Sequence, residues 1–218
     1  MKLGIIWDLD GTLLDSLEDL KDAVNHTLQQ YGLPQRTLEE IRCFVGNGAK
    51  RLIALSLPGK KNDPDVDRVL ADYQAYYQDH SQIKTKPYDG VLTALEKLGQ
   101  KYPLAVVSNK PDGAVKDLCR KYLPGVYALG ETPDCPRKPA PDMVYKAMKE
   151  LGVDRCVYVG DSEVDVLTAK NAGVPCLSVL WGFRDRKTLE EAGAKYFCDD
   201  TGELPQVLET IIGEVYGQ

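Results

Sequence analysis

Short apolar runs that alternate with helix-like segments are the feature that most restricts how this chain can fold. The clearest runs lie at residues 3–7, 104–107, 156–159 and 176–180, and the segments between most of them have apolar residues at spacings of three and four. Near-continuous apolar strands separated by helices are typical of a parallel sheet that is covered by helices on both faces. The sequence therefore predicts an α/β fold with a parallel central sheet.

One long stretch interrupts this alternation. From about residue 15 to 82 the apolar residues follow helical spacing, and no strand-like run occurs. A fourth helix of this stretch is predicted to start at residues 62–64, where a proline suits a first turn. We therefore predict a core of residues 1–14 and 85–218, with an α-helical domain of residues 15–84 inserted after the first strand.

Polar residues stand where three of the apolar runs end. The first run ends at Asp8 and Asp10, another at Ser108, and a third at Asp161. The carboxyl ends of the strands in an open parallel sheet form one edge, and ligands bind there. Two carboxylates that close a buried strand need a cation or another partner, because buried charge is costly. The alternative is a strand that runs out into a solvated turn containing two aspartates.

Further acidic residues follow the third run, in Asp161-Ser162-Glu163-Val164-Asp165. Ser162 and Asp165 have the spacing of a helix capping box, which accounts for Ser162 without any ligand. Capping does not account for Asp161, which directly follows a buried strand. Clustered aspartates in a chain with two histidines favour a hard cation, Mg²⁺. An aspartate can also be a nucleophile toward phosphorus, and a neighbouring aspartate a general acid and base.

Four motifs, in this order along the chain, resemble those of the haloacid dehalogenase superfamily. They are Asp8-Leu9-Asp10-Gly11-Thr12, Ser108-Asn109, Lys138 in Arg137-Lys138-Pro139-Ala140-Pro141, and Gly160-Asp161-Ser162-Glu163-Val164-Asp165. The resemblance covers nearly the whole chain and implies a Rossmann-like core with a small α-helical cap, as the predicted insertion suggests. Without this context, Lys138 could equally be a solvated loop lysine.

The resemblance also implies roles for individual residues. Asp8 is the nucleophile and Asp10 the general acid and base. The implied Mg²⁺ ligands are Asp8, Asp10 through its backbone carbonyl, Asp161, and Asp165 directly or through water. The implied phosphate-binding residues are Ser108, Asn109, Lys138 and Thr12.

Together the motifs predict a Mg²⁺-dependent phosphatase of a small phosphorylated metabolite, working through an aspartyl-phosphate. Asp10 points to phosphoryl transfer, since the dehalogenases of the superfamily lack it. Val45-Gly46-Asn47-Gly48-Ala49 resembles the phosphoglycolate phosphatase branch, so 2-phosphoglycolate is the first substrate candidate. The alternatives on the same core are a phosphomutase similar to β-phosphoglucomutase, a pyrophosphatase and a nucleotidase. A non-catalytic phospholigand-binding protein is the alternative of another class.

Several residues outside the four motifs have two interpretations each. Gly46, Asn47 and Arg51 are candidate substrate contacts, because a cap loop can close over a core site, although Gly and Asn are also common where a helix starts. Residues 181–184 are interpreted as a loop at the rim of the site. A tyrosine cluster is interpreted as packing within the cap rather than as a base-stacking surface: Tyr73, Tyr76 and Tyr77.

Composition excludes some partners. The net charge of −6, from 27 basic and 33 acidic residues, argues against a nucleic-acid partner. The six cysteines form no Cys-x-x-Cys pair, which predicts free thiols and a reducing compartment. The first apolar run is too short for a signal-peptide core, and no run approaches the ~20 residues that span a membrane. We expect a cytoplasmic protein without a membrane partner, and the sequence predicts no particular oligomeric state.

Overall fold

The computed structural model describes residues 2–59 and 64–217. Within those residues the chain forms eight β-strands and ten α-helices. The strands are β1 (Leu3–Trp7), β2 (Leu14–Asp15), β3 (Lys86–Pro87), β4 (Leu104–Pro111), β5 (Tyr127–Glu131), β6 (Arg155–Gly160), β7 (Cys176–Val179) and β8 (Tyr196–Cys198). The helices are α1 (Leu17–Gln30), α2 (Leu38–Phe44), α3 (Gly48–Ser56), α4 (Val66–His80), α5 (Val91–Gly99), α6 (Asp112–Tyr122), α7 (Asp142–Leu151), α8 (Glu163–Ala172), α9 (Arg186–Ala192) and α10 (Leu204–Tyr216).

Six of these strands form one parallel sheet in the order β5-β4-β1-β6-β7-β8. Strand β1 is central, and its Trp7 pairs with Val106 of β4 and Val159 of β6. Because parallel strands end at the same edge, the residues that follow β1 and β6 lie beside the last residues of β4. The predicted α/β fold with a parallel central sheet is confirmed.

Helices cover both faces of this sheet. Side chains alternate along a strand, so Ile5 and Trp7 pack on one face and Ile6 on the other. Helices α5, α6 and α10 pack on the first face, and α7 and α8 on the second. With both faces buried, the carboxyl ends of the strands are the part of the sheet at which a ligand can reach polar side chains.

Helices α1 to α4 pack around a separate apolar cluster, which also contains Phe183 from the far end of the chain. The chain leaves the sheet at β2 and returns at β3, and these two short strands pair in antiparallel fashion, Leu14 with Pro87 and Asp15 with Lys86. The stretch predicted as wholly helical therefore begins with one residue of a strand.

A buried carboxylate ties this exit and return together. Asp19, in the first turn of α1, accepts the N–H of Lys84 at 3.0 Å and the N–H of Thr85 at 2.8 Å. The hydroxyl of Thr85 also donates to Asp19. The start and the end of the insertion are thus joined by hydrogen bonds as well as by the strand pair.

Two helices differ from the sequence prediction. Of the predicted start of the fourth helix, residues 62 and 63 lie outside the described residues, and α4 begins at Val66 after the capping carboxylate of Asp65. Helix α9 was not predicted, because its one buried residue, Leu189, creates no periodic apolar pattern. Among the described helices, none is both long and apolar enough to cross a membrane.

Candidate active site

Three aspartate side chains meet at the carboxyl edge of the central strands. Asp8 follows β1, Asp161 follows β6, and Asp165 lies in the first turn of α8. One carboxylate oxygen of each lies within 4.8 Å of the others, and all three residues are buried. The structure therefore brings together the side chains of three predicted metal ligands. The fourth predicted ligand, Asp10, is expected to contribute only its backbone carbonyl, and its side chain points away from this cluster toward Lys110.

Lys138 lies among these carboxylates and is only 2% exposed. Its Nζ is 2.7 Å from Oδ1 of Asp8 and 2.8 Å from Oδ1 of Asp165. Burial alone would lower the pKa of Lys138, but the charges of Asp165 and Asp8 outweigh burial and raise the pKa above its ordinary value. Lys138 is therefore a buried cation, and its interpretation as a solvated loop lysine is wrong.

The carboxylate of Asp165 is fully engaged. Its Oδ1 accepts hydrogen bonds from Lys138 Nζ and from the Tyr158 hydroxyl, at 2.8 and 2.9 Å. Its Oδ2 accepts the N–H and the hydroxyl of Ser162, at 3.1 and 2.6 Å. A carboxylate offers about four acceptor positions, so Asp165 can bind a cation directly only by giving up one of these bonds. The predicted capping interaction of Ser162 with Asp165 is confirmed.

Asp161 is held from two sides. The Thr12 hydroxyl donates to its Oδ1 at 2.9 Å, and the N–H of Phe183 donates to its Oδ2 at 2.8 Å. Burial and the charge of Asp165 nevertheless raise the pKa of Asp161 to about 7. Only glycine fits at position 11 beside this carboxylate, because the φ of Gly11 is 86° and a Cβ there would overlap Asp161. The hydroxyl of Thr12, a predicted phosphate-binding residue, thus donates its proton to Asp161.

Asp8 lies where burial and neighbouring charges disfavour its ionised form. Burial raises its pKa well above the ordinary value, Asp165 and Asp161 raise it further, and Lys138 opposes them. Asp8, Asp161 and Asp165 face a single ammonium group, so the ionised cluster carries excess negative charge. A buried set of carboxylate oxygens with that excess fits a hard divalent cation such as Mg²⁺.

The side chain of Asp10 is directed toward Lys110. The Nζ of Lys110 lies 2.8 Å from both carboxylate oxygens of Asp10, and the Ser16 hydroxyl donates to Oδ1. Lys110 is itself buried and lies 4.9 Å from the centroid of the Tyr77 ring. The sequence alone predicts no role for Lys110. The signal was its place directly after the polar end of an apolar run, because β4 continues to Pro111 and carries the lysine into the site.

The two residues of the second motif have different surroundings. Ser108 lines the cavity described below, and its Oγ accepts the N–H of Lys110 at 3.2 Å, which leaves the hydroxyl proton for a ligand. The Nδ2 of Asn109 donates to the carbonyls of Gly46 and Lys138, and its Oδ1 accepts the N–H of Lys138. Both amide protons of Asn109 are thus in use, so Asn109 joins two loops at the site.

A cavity of about 380 Å³ lies above Asp8 and Asp10, between the sheet edge and the helical insertion. Of the predicted substrate contacts in the insertion, Gly46 lines this cavity. Asn47 is not among the lining residues, and Arg51 is exposed to solvent and does not line it either.

Two of the three clustered tyrosines form part of the cavity wall. Tyr73 and Tyr77 line the cavity and stack with their ring centroids 5.4 Å apart. Tyr76 instead stacks between His26 and His80. The predicted packing role holds for all three tyrosines, because Tyr73 and Tyr77 belong to the apolar cluster of the insertion and Tyr76 packs against it.

Comparison with known proteins points to one family. The family model described as haloacid dehalogenase-like hydrolase matches residues 5–179. A phosphoglycolate phosphatase of Rhodobacter capsulatus is 35% identical, over 96% of this chain and 98% of that protein. A phosphoglycolate phosphatase of Pseudomonas syringae pv. tomato is 34% identical, over 92% of this chain and 77% of that protein. A crystal structure from Lactobacillus delbrueckii subsp. bulgaricus, provisionally described as a phosphoglycolate phosphatase, superposes with a TM-score of 0.86 at 39% identity, covering 94% of this chain and 97% of that chain.

Proposed function

The chain belongs to the haloacid dehalogenase-like hydrolase family, in its phosphatase branch, and we propose that it hydrolyses a small phosphorylated metabolite through an aspartyl-phosphate on Asp8. The observation that carries this proposal is the placement of Asp8 at the base of a cavity, 2.7 Å from the ammonium of Lys138. A buried carboxylate beside a cation suits attack on phosphorus, because the same cation can stabilise the phosphoryl oxygens.

Mg²⁺ is the cofactor that the donor set supports. Asp8, Asp161 and the backbone carbonyl of Asp10 would hold it, with Asp165 assisting directly or through water. When bound, the ion neutralises charge on the carboxylates and on the phosphoryl group. The raised pKa values of Asp8 and Asp161 are the expected property of carboxylates that are paired with a cation in the working enzyme.

The chain's own residues then divide the reaction between them. Asp8 attacks the phosphorus atom, and the ester bond to the leaving oxygen breaks. Asp10 gives its proton to that oxygen, while Lys138 and the Ser108 hydroxyl hold the transferred oxygens. In the second half, Asp10 takes a proton from the water that attacks the phosphorus, which releases phosphate and restores the Asp8 carboxylate.

The substrate we propose is 2-phosphoglycolate. Lys110 supplies a second buried cation on the cavity wall, separate from the lysine that faces Asp8. A substrate with a carboxylate close to its phosphate can place that carboxylate near Lys110, whereas a neutral alkyl phosphate cannot. The names of the relatives from Rhodobacter capsulatus and Pseudomonas syringae agree with this choice.

We further propose that residues 15–84 act as a cap over the core formed by residues 1–14 and 85–218. The separate apolar cluster of α1 to α4 supports that division. A cytoplasmic location is supported by the cysteines, all six of which are free in the described residues, as is usual in a reducing compartment.

Phosphate release from p-nitrophenyl phosphate in the presence of Mg²⁺ tests the proposed function. We expect turnover by the wild type, none by Asp8→Asn, and a trapped phosphoenzyme in Asp10→Asn, which retains the nucleophile but lacks the base for the second half; p-nitrophenolate is weakly basic and leaves in the first half without the proton of Asp10. A phosphomutase would instead transfer the phosphoryl group to a second substrate alcohol and release little phosphate. A folded wild type that releases no phosphate and forms no phosphoenzyme would contradict the proposal.

A further inference from the structure

Residues 181–184 form a loop that is built against the candidate active site on its inner side. The indole N–H of Trp181 donates to the carbonyl of Thr12 at 3.1 Å, and the N–H of Phe183 donates to Asp161 at 2.8 Å. Gly182 lies between them, where a Cβ would overlap the side chain of Asp161 and the backbone of Gly11. The backbone of this 181–184 loop therefore cannot move without changing the contacts of Asp161.

On its outer side the same loop is fastened to the helical insertion. The ring of Phe183 is 7% exposed and packs in the apolar cluster of α1 to α4. The guanidinium of Arg184 donates to the carbonyls of Arg42 and Val45, at 2.8 and 2.7 Å. These carbonyls lie at the end of α2, where helical partners are lacking. The Nε of Arg184 also donates to Glu163 of α8 at 2.8 Å, so one side chain joins the insertion to the core.

The carbonyls that Arg184 holds lead directly into the cavity wall. Val45 is followed by Gly46, which lines the cavity and whose carbonyl accepts a hydrogen bond from Asn109. Arg184 and Asn109 thus hold this short segment from two sides. A guanidinium suits this task, because its fixed fork serves several acceptors at once, which an ammonium on a flexible chain does not.

We propose that Arg184 and Phe183 are positioning residues that hold the cavity-lining segment at residues 45–49 over Asp8 and couple its position to Asp161. Through Arg184 the segment is fixed to the core. Through Phe183, docking of the insertion and orientation of the Asp161 carboxylate become one event. The kinetic part of this inference rests on the proposed function, and the docking part does not.

Hydrogen–deuterium exchange tests the docking part without any measurement of activity. In Arg184→Met, the amide of Val45, which donates to the carbonyl of Ile41 at the end of α2, should exchange at least about tenfold faster than in the wild type, because the hydrogen bonds from a charged donor that hold this helix end are lost. Arg184→Lys should show most of the same acceleration, since a lysine keeps the charge beside Glu163 but loses the fork. The matched control is Arg186→Met, two residues along, which removes an exposed arginine paired with Asp199 and should leave this segment unchanged.

Calorimetric Mg²⁺ titration without substrate, followed by steady-state kinetics, tests the coupling. Phe183→Leu keeps an apolar side chain but packs less completely in the insertion. We expect it to bind Mg²⁺ several-fold more weakly, and we expect Arg184→Met to raise KM about tenfold with a much smaller change in kcat. Arg186→Met should match the wild type in both measurements.

Each outcome bears on a separate part of the proposal. A wild-type exchange rate at the Val45 amide in both Arg184 variants would overturn the docking role. Faster exchange with unchanged Mg²⁺ affinity and KM would overturn the coupling to Asp161. A wild type that hydrolyses no phosphate ester would defeat the proposed function, while the exchange comparison would still decide whether Arg184 holds the segment.

Discussion

Replacing Asp161 by asparagine should remove a pH-dependent loss of stability that the metal-free protein carries at its active site. Folding moves this carboxyl group from water, where its pKa is 3.8, to a buried position beside Asp165, where its pKa is about 7. A carboxyl group with a higher pKa in the folded chain binds its proton more tightly there, so the proton stabilises the fold. That stabilisation is present at low pH and is lost as pH rises from 3.8 through about 7.

The size of this loss follows from the two pKa values. Within the window between them, each pH unit lowers the free energy of unfolding by about 1.4 kcal/mol. From about pH 5 to about pH 7 the loss is therefore at most about 3 kcal/mol from Asp161. For a chain of 218 residues, 1 kcal/mol corresponds to about 2–4 °C in Tm, so the Tm should fall by at most roughly 6–12 °C.

Thermal unfolding with a chelator or with saturating Mg²⁺ measures this effect. Asp161→Asn is the matched variant, because its amide can still accept the N–H of Phe183 and donate to Thr12. Without metal, the variant should show a flatter pH profile and a higher Tm than the wild type near neutral pH. Added Mg²⁺ should raise the Tm of the wild type and hardly that of the variant. Parallel pH profiles for the two metal-free proteins would refute the assignment of the raised pKa to Asp161.

Three other substitutions test separate contacts. Lys138→Met should lower the free energy of unfolding by about 3–5 kcal/mol in urea, because it leaves buried carboxylates without their ammonium; an unchanged urea midpoint would contradict this. Lys110→Met should reduce kcat/KM for 2-phosphoglycolate at least about tenfold more than kcat/KM for 2-hydroxyethyl phosphate, which is similar in size but lacks the carboxylate. Equal losses for the two substrates would mean that Lys110 acts only on Asp10. Asp19→Ala should lower the free energy of unfolding by about 2–3 kcal/mol, because it leaves the buried N–H groups of Lys84 and Thr85 without their acceptor. The control Asp22→Ala breaks an exposed ion pair and should cost less than about 1 kcal/mol. Similar losses in the two variants would argue that Asp19 does not join the ends of the insertion.

The residues at the strand ends could be predicted from the sequence because their signal is local. Asp8 and Asp161 each directly follow an apolar run that is long enough for one buried strand. Both the run and the polar residue after it can be recognised in the sequence without tertiary information. Parallel pairing then brings separate strand ends to one edge, which is where the structure has Asp8, Ser108 and Asp161.

Individual contacts between segments that are distant in sequence could not be predicted in this way. Arg184 and Lys110 each meet partners far along the chain, Arg42 and Asp10 respectively, and nothing in the flanking residues marks those pairs. The side-chain amide of Asn109 likewise donates to carbonyls of two different loops, and the hydroxyl of Thr12 donates to Asp161. Motif position predicted that Asn109 and Thr12 belong to the site, but which atom each one contacts depends on packing between segments distant in sequence.

The antiparallel pair of Leu14 with Pro87 has a consequence for how such proteins diversify. Neighbouring strands lie only about 5 Å apart, so everything between these two residues starts and finishes at nearly one point in space. For the sheet, the whole insertion is equivalent to a tight turn between two neighbouring strands. Its length or its sequence can therefore change without displacing any strand. A change in this insertion therefore leaves Asp8 and its counter-charges in register, so different specificities can be built on the same set of carboxylates.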